Sequence, residues 1–224
     1  MNSTSERQLE EFVSAAHRVA QQGLVRCGSG NLSWRIDDEC MLITVTRAWL
    51  GDMSQDQVAI CRIQDGASLN GKVPSVEVGF HRAILCERQD VNVVLHFQSP
   101  YATALACLKT LQSHTLFVTP EMPYYVGPVA VVPYLAPGSY DLAKAVTSAM
   151  REHDLVVLRN HGQVTVGRDF QETLERAIYF EFASAISLRA GENVGFLGEE
   201  DVNSLYQARQ ESLQQPRAAW QSER

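Results

Sequence analysis

The chain has 224 residues, 45% of them hydrophobic and 20% charged, ordinary values for one globular unit able to bury a core without disulfides or structural metal. A formal net charge of −7 excludes a basic nucleic-acid-binding face as the main surface, and no apolar run is long enough to span a bilayer. The five cysteines (Cys27, Cys40, Cys61, Cys86 and Cys107) are scattered, without a C-x-x-C pair, as expected of thiols kept reduced in a cytoplasmic protein.

In chain order, Ser5 and Gln8 read as a capping box, and Leu9, Phe12, Val13, Ala16, Val19 and Ala20 follow at helical spacing up to Gly23. A Gly28-Ser29-Gly30-Asn31 turn leads to short strands around Leu32–Ile36 and Met41–Val45, with another over Val58–Ile63. Pro74-Ser75 opens a helix from Val76 to about Glu87. Val91 to Phe97 is an apolar, β-branched run that predicts a buried strand. Ser99 is placed to cap the next helix, with Pro100 at its first position, where a missing N–H costs nothing. Residues 119–137 read as loop and short strands, and Ser139 starts a helix to about His153. Leu155 to Val166 reads as two strands meeting at Asn160-His161-Gly162, and Asp169 with Glu172 opens a long helix ending near Gly191. The chain beyond Asn203 reads as one more helix and a polar end. No linker or repeat divides residues 1–224, so a single domain is expected.

Three residues stand where chemistry is commonly placed. His96 closes a buried strand, His161 occupies a tight turn, and Glu77 lies at the start of a helix. Imidazole nitrogen with carboxylate oxygen suits zinc or a similar divalent ion. The glycine-rich turn at 28–31 offers backbone N–H groups to an anion. Thr44, Thr46 and Ser75 add hydroxyls, and Arg47 adds a fixed charge. Each of these also has a purely structural reading.

Taken together and in order, these segments resemble the class II aldolase/adducin family. The resemblance rests on Gly30-Asn31-Leu32-Ser33, on Ile43-Thr44-Val45-Thr46, and on Pro74-Ser75-Val76-Glu77 with His81 following. It extends through Asp90 to Ala104, with His96-Phe97-Gln98 at its centre, and through Leu158-Arg159-Asn160-His161-Gly162. Membership implies a three-layer α/β/α domain around a mixed, largely antiparallel sheet, usually in a homotetramer with active sites between subunits. By residue, it implies His96 and His161 as metal ligands and Glu77 as the acid/base and a further ligand candidate. Ser29, Gly30, Asn31, Thr46, Arg47 and Ser75 are then expected around the substrate. Zinc is the expected ion, with manganese or magnesium as alternatives. The implied reaction is a metal-dependent aldol cleavage of a ketose phosphate such as L-fuculose 1-phosphate. Two alternatives stay open: a decarboxylase, epimerase or dehydratase of another sugar acid or phosphate, and a metal-depleted binding protein.

The chain departs from the pattern at four places. Gln98 replaces the second histidine of a His-x-His pair and is a weaker donor for zinc. Val76 stands for a serine and Arg47 for a glycine. Phe117 stands by ungapped count where sugar-phosphate aldolases carry a tyrosine acid, with Tyr124 or Tyr125 as substitutes.

Overall fold

A computed structural model describes residues 5–109 and 116–213. Its centre is a seven-stranded sheet in the order β3-β2-β1-β4-β7-β6-β5. The strands are β1 (Asn31–Arg35), β2 (Cys40–Thr44), β3 (Val58–Arg62), β4 (Val93–Phe97), β5 (Val129–Val132), β6 (Leu155–Leu158) and β7 (Gly162–Gly167). All neighbours are antiparallel except β5 and β6. The expected mixed, largely antiparallel sheet is present.

Strand alternation assigns the two faces. Val93, Leu95 and Phe97 of β4 face a core shared with α1 (Glu6–Gln21), α3 (Pro100–Ala106) and α5 (Phe170–Ala190). Val94 faces the other way, into a core shared with α2 (Val78–Glu87) and α4 (Tyr140–Ala149). Helices on both faces make the three layers. By the same alternation His96 projects toward the α2 side.

Several ends differ from the sequence reading. The Ser5–Gln8 capping box is formed. Glu77 is the N-cap residue of α2, one position outside the helix. The α4 helix stops at Ala149, short of His153. Residues 119–137 contain a π-helical turn, Met122–Val126, before β5. The Asp169 side chain caps α5 through the Glu172 N–H, but Glu172 returns its carboxylate to the N–H of Arg168. The last described helix, α6 (Glu199–Leu213), begins before Asn203. The polar end beyond it lies outside the described residues.

Helix α6 is tied down by a buried ion network. Asp154 receives Arg88 at 2.9 Å, Arg176 at 3.1 Å and Arg209 of α6, while Glu172 receives Arg176 and Arg168. Arg176 is almost fully buried and also donates to the Val166 and Tyr125 carbonyls, locking α5 to β7 and the π-helical turn. Among the described residues, no helix is long and apolar enough to cross a membrane.

Candidate active site

The sheet assembles the site at one end of β4. Antiparallel pairing sets Asn31, the first residue of β1, opposite His96, and sets His96 opposite Val164 of β7. The β6–β7 turn then carries His161 over the same end. Asn160 adopts φ 54°, and Gly162 packs so tightly that an added Cβ would lie 2.6 Å from the Phe97 carbonyl oxygen. The same Cβ would meet Gln98 Cγ at 2.8 Å and His96 Cε1 at 3.1 Å, so only glycine lets this turn close on the end of β4. From the opposite side, α2 presents its N-cap residue Glu77.

The three candidates meet. His96 Nε2 lies 3.5 Å from Glu77 Oε2, and His161 Nε2 lies 3.6 Å from Glu77 Oε1. One donor atom from each residue falls within 4.8 Å of the other two. These gaps are wider than an N–H···O bond, yet they match the edge of a tetrahedron of ligands about 2.1 Å from an ion, roughly 3.4 Å. Buried Glu77 Oε1 has no hydrogen-bond partner among the described residues. The Nδ1 of His96 sits 2.9 Å from the Gln163 carbonyl, so it carries a proton, and the nitrogen facing Glu77 is Nε2, the one free to serve as a ligand. Burial, then the charge of His96, pull His161 down to about pKa 4 against the opposing pull of Glu77, so its imidazole stays neutral and ligand-competent at neutral pH. Donor type, protonation and spacing all fit a divalent cation.

A second layer supports Glu77. The Asn31 amide nitrogen donates to Glu77 Oε2 at 2.9 Å, and its oxygen lies 2.5 Å from His81 Nε2. Ser33 Oγ reaches His81 Nδ1 at 2.7 Å. The sequence suggests His81 from its position one helical turn beyond Glu77. It includes Ser33 in the Gly30–Ser33 motif but assigns it no role; Ser33 meets His81 because its side chain leaves β1 on the α2 side of the sheet.

The remaining candidates surround this centre unequally. Gly30, at φ 120°, lies against the His96 carbonyl, where an added Cβ would come within 2.8 Å. Ser29 closes its own turn, its hydroxyl accepting from the Arg26 N–H. Ser75 is buried and its hydroxyl accepts from the Glu77 N–H, so it also shapes the α2 entry. The Ser75 N–H bonds Thr44, and the Thr46 N–H bonds Val73, which joins the 44–47 and 73–77 segments. Thr44 is committed to structure, its hydroxyl accepting from the Leu32 N–H. Arg47 is exposed at φ 60°, its backbone packed beside Gly28. The loops bearing Gly28, Arg47 and Ser75 are therefore neighbours. Gln98 follows His96 by two residues, half-buried, with its Cγ beside Gly162. The tyrosines do not join the centre: Tyr124 and Tyr125 share a recess with Arg168, beyond the opposite end of β7, and Phe117 packs on Tyr206.

Glu181 of α5 is a residue that sequence reading misses. Its carboxylate accepts from the N–H groups of Tyr101 and Ala102 and from the Ser99 hydroxyl. It is the acceptor at the α3 N-terminus, and Ser99, expected to cap the helix, is instead a donor to it. No local pattern signals a cap supplied from 80 residues away.

Comparison with known proteins agrees with this architecture. The sequence profile of the class II aldolase and adducin N-terminal domain matches residues 10–188. A 3-oxo-tetronate 4-phosphate decarboxylase of Haemophilus influenzae is 30% identical over 202 residues, covering 88% of this chain and 95% of that protein. An L-fuculose phosphate aldolase of Methanococcus maripaludis is 36% identical over 165 residues, covering 73% and 87%. The crystal structure of YgbL from Klebsiella pneumoniae superposes with a TM-score of 0.84 at 31% identity, covering 91% of this chain and all of that one. An L-fuculose 1-phosphate aldolase superposes at 0.82 with 23% identity, over 92% and 98% of the two chains, a likeness of fold.

Proposed function

The chain belongs to the class II aldolase/adducin family, whose enzymes include decarboxylases and aldolases acting on sugar phosphates, and from that premise we propose that it decarboxylates a phosphorylated 3-oxo sugar acid. The observation that carries this is Glu77, a single buried carboxylate with an unpartnered Oε1, set between two imidazoles. Near-full-length likeness to 3-oxo-tetronate 4-phosphate decarboxylases supports it. This reading displaces aldol cleavage as the leading expectation.

The chemistry asks little of the protein beyond this centre. The bond between the carboxylate carbon and its neighbour breaks, CO2 leaves, and the electron pair moves into the adjacent ketone to give an enediolate. One proton must then reach that neighbouring carbon. His96 and His161, with Glu77 and Gln98 beside them, are the residues that would hold a divalent ion, which would supply Lewis-acid stabilisation of the developing negative charge. Zinc is the first choice, and the amide of Gln98 favours manganese or magnesium as alternatives. Glu77, starting in its protonated form, delivers that proton from Oε1 and regains one from solvent after the product leaves. The phosphate is assigned to the Ser29–Asn31 turn and the backbone around Thr46 and Ser75, and the substrate carboxylate to the exposed guanidinium of Arg47.

Aldol cleavage of a ketose 1-phosphate is the second reading, favoured by likeness to the L-fuculose phosphate aldolases. It needs a further proton donor for the departing aldehyde, a demand decarboxylation does not make. The intact Glu77–His96–His161 cluster argues against a metal-depleted binding protein. A homotetramer with shared sites belongs to the same proposal, supported by the exposed Val73, Val76, Tyr134 and Tyr140. Sedimentation velocity checks the oligomer.

The test of the reaction uses protein loaded with zinc or manganese. CO2 release from a 3-oxo-tetronate 4-phosphate is expected, lost in Glu77→Gln and His161→Ala. Aldehyde release from L-fuculose 1-phosphate, without CO2 release from the sugar acid, overturns the proposal in favour of the second reading.

A further inference from the structure

The hydrogen-bonded chain behind Glu77 has only one self-consistent direction. A carboxylate oxygen that receives Asn31 is an acceptor, so Asn31 must present its NH2 group there. The Asn31 carbonyl oxygen is then what faces His81 Nε2, and that nitrogen must carry the proton. The His81 Nδ1 is left as an acceptor, and the Ser33 hydroxyl must donate to it. All four residues are buried: Ser33 and His81 are fully enclosed, and Asn31 and Glu77 are 6% and 5% exposed. Water therefore has little access to replace a missing link.

We propose that His81 and Ser33 are positioning residues that hold Asn31 in one orientation, so that Glu77 Oε2 is kept as a fixed acceptor and Oε1 is the oxygen left to meet substrate. This rests on the reading of Glu77 as the proton-moving group and specifies the atom and its supports. It also changes the part assigned to Asn31. Both ends of its side-chain amide are engaged within the protein, so that amide aligns the carboxylate and leaves phosphate binding to the loop backbone.

Two features make the arrangement one-way. Reversing it would require Asn31 to flip, His81 to change tautomer and Ser33 to rotate together, because each partner's role follows from the one before. In addition, burial and the nearby His96 hold His81 down to about pKa 3, so the ring stays a neutral relay with one donor and one acceptor nitrogen. A doubly protonated ring would have no acceptor for Ser33.

The first test needs no substrate. In apoprotein labelled with 15N-histidine at pH 7, His81 is expected as the neutral Nε2–H tautomer, and Ser33→Ala should shift its Nδ1 resonance. A neutral Nδ1–H tautomer overturns the proposal. The second test is kinetic, in metal-loaded enzyme. His81→Phe, which keeps a flat ring but breaks the chain, should lower kcat on the order of 10- to 100-fold and leave KM for the phosphorylated substrate within about twofold. Ser33→Ala should give a smaller loss of the same kind, and His81→Gln, which can still donate to Asn31, should recover part of it. A rise in KM at unchanged kcat overturns the proposal and returns Asn31 to the phosphate. Glu77→Gln separates the two ideas: full turnover in that variant sinks the reading of Glu77 itself. Its inactivity, combined with normal kcat in His81→Phe and Ser33→Ala, sinks only the positioning role.

Discussion

Removing the Glu181 carboxylate is expected to loosen the element directly behind the site. Helix α3 begins with Pro100, which has no N–H, so its first free donors are the N–H groups of Tyr101 and Ala102. Glu181 takes both, at 3.0 and 2.7 Å, and takes the Ser99 hydroxyl at 2.6 Å. A hydrogen bond to a charged group contributes about 1.5–3 kcal/mol net when well shielded. Glu181 is only partly buried, and water can replace part of what is lost, which brings each bond nearer about 1 kcal/mol. Glu181→Ala should therefore cost about 3 kcal/mol, or roughly 6–12 °C in Tm for a chain of this size. Glu181→Gln retains one acceptor oxygen but turns an NH2 group toward a donor, and about half that loss is expected. Urea unfolding followed by circular dichroism measures both through the midpoint at constant m-value. An alanine variant that loses less than about 0.5 kcal/mol, the level of an ordinary surface change, would show that water caps α3 as well as Glu181 does.

Asp154→Asn should cost about 3–5 kcal/mol, because three guanidiniums lose the charge they share in a buried setting. Burial pushes the Asp154 carboxyl up, but Arg176, Arg209 and Arg88 outweigh it and leave the group below its usual range. Its stabilisation is thus present above the unfolded pKa and fades as acid protonates the folded group, which a urea midpoint series from pH 7 to 3 will read. Gly162→Ala places a methyl against the Phe97 carbonyl and His96, so a loss of about 1–3 kcal/mol is expected. Weakened zinc binding by calorimetry should accompany it, and wild-type affinity would show that the turn can yield. His161 and His81 titrate in the fold near 4 and 3, against 6.5 when unfolded. Both are proton-poor in the fold, so stability is complete above about pH 6.5 and falls toward pH 4. The apoprotein should lose on the order of 4 kcal/mol by pH 5, about 2 from each histidine, and a midpoint unchanged between pH 7 and 5 would refute the neutral assignments.

The fold was legible where local signals and burial agree. Ser5 with Gln8 caps α1, and the apolar β-branched run Val91 to Phe97 supplies the central, wholly buried strand β4. The ends that shifted are those decided by tertiary contacts. The sequence places Glu77 two residues inside α2, yet it stands at the N-cap, where the Ser75 hydroxyl accepts from the Glu77 N–H. Ser99 looked like a cap because serine before proline is a good local cap; Glu181 prevails because a carboxylate is a stronger acceptor for three donors than a hydroxyl.

The site divides along the same line. Glu77, His96 and His161 could be nominated from residue type and placement, and the sheet does bring them together. What the linear order does not contain is which strand faces α2. The sheet places Asn31 and Ser33, two residues apart on one face of β1, against His81, four residues beyond Glu77. A period of two on the strand and one near four on the helix are each ordinary. Their coincidence joins three residues into the support of a fourth, so a substitution at Ser33, which is no candidate for chemistry by type, is expected to be felt at the Glu77 carboxylate.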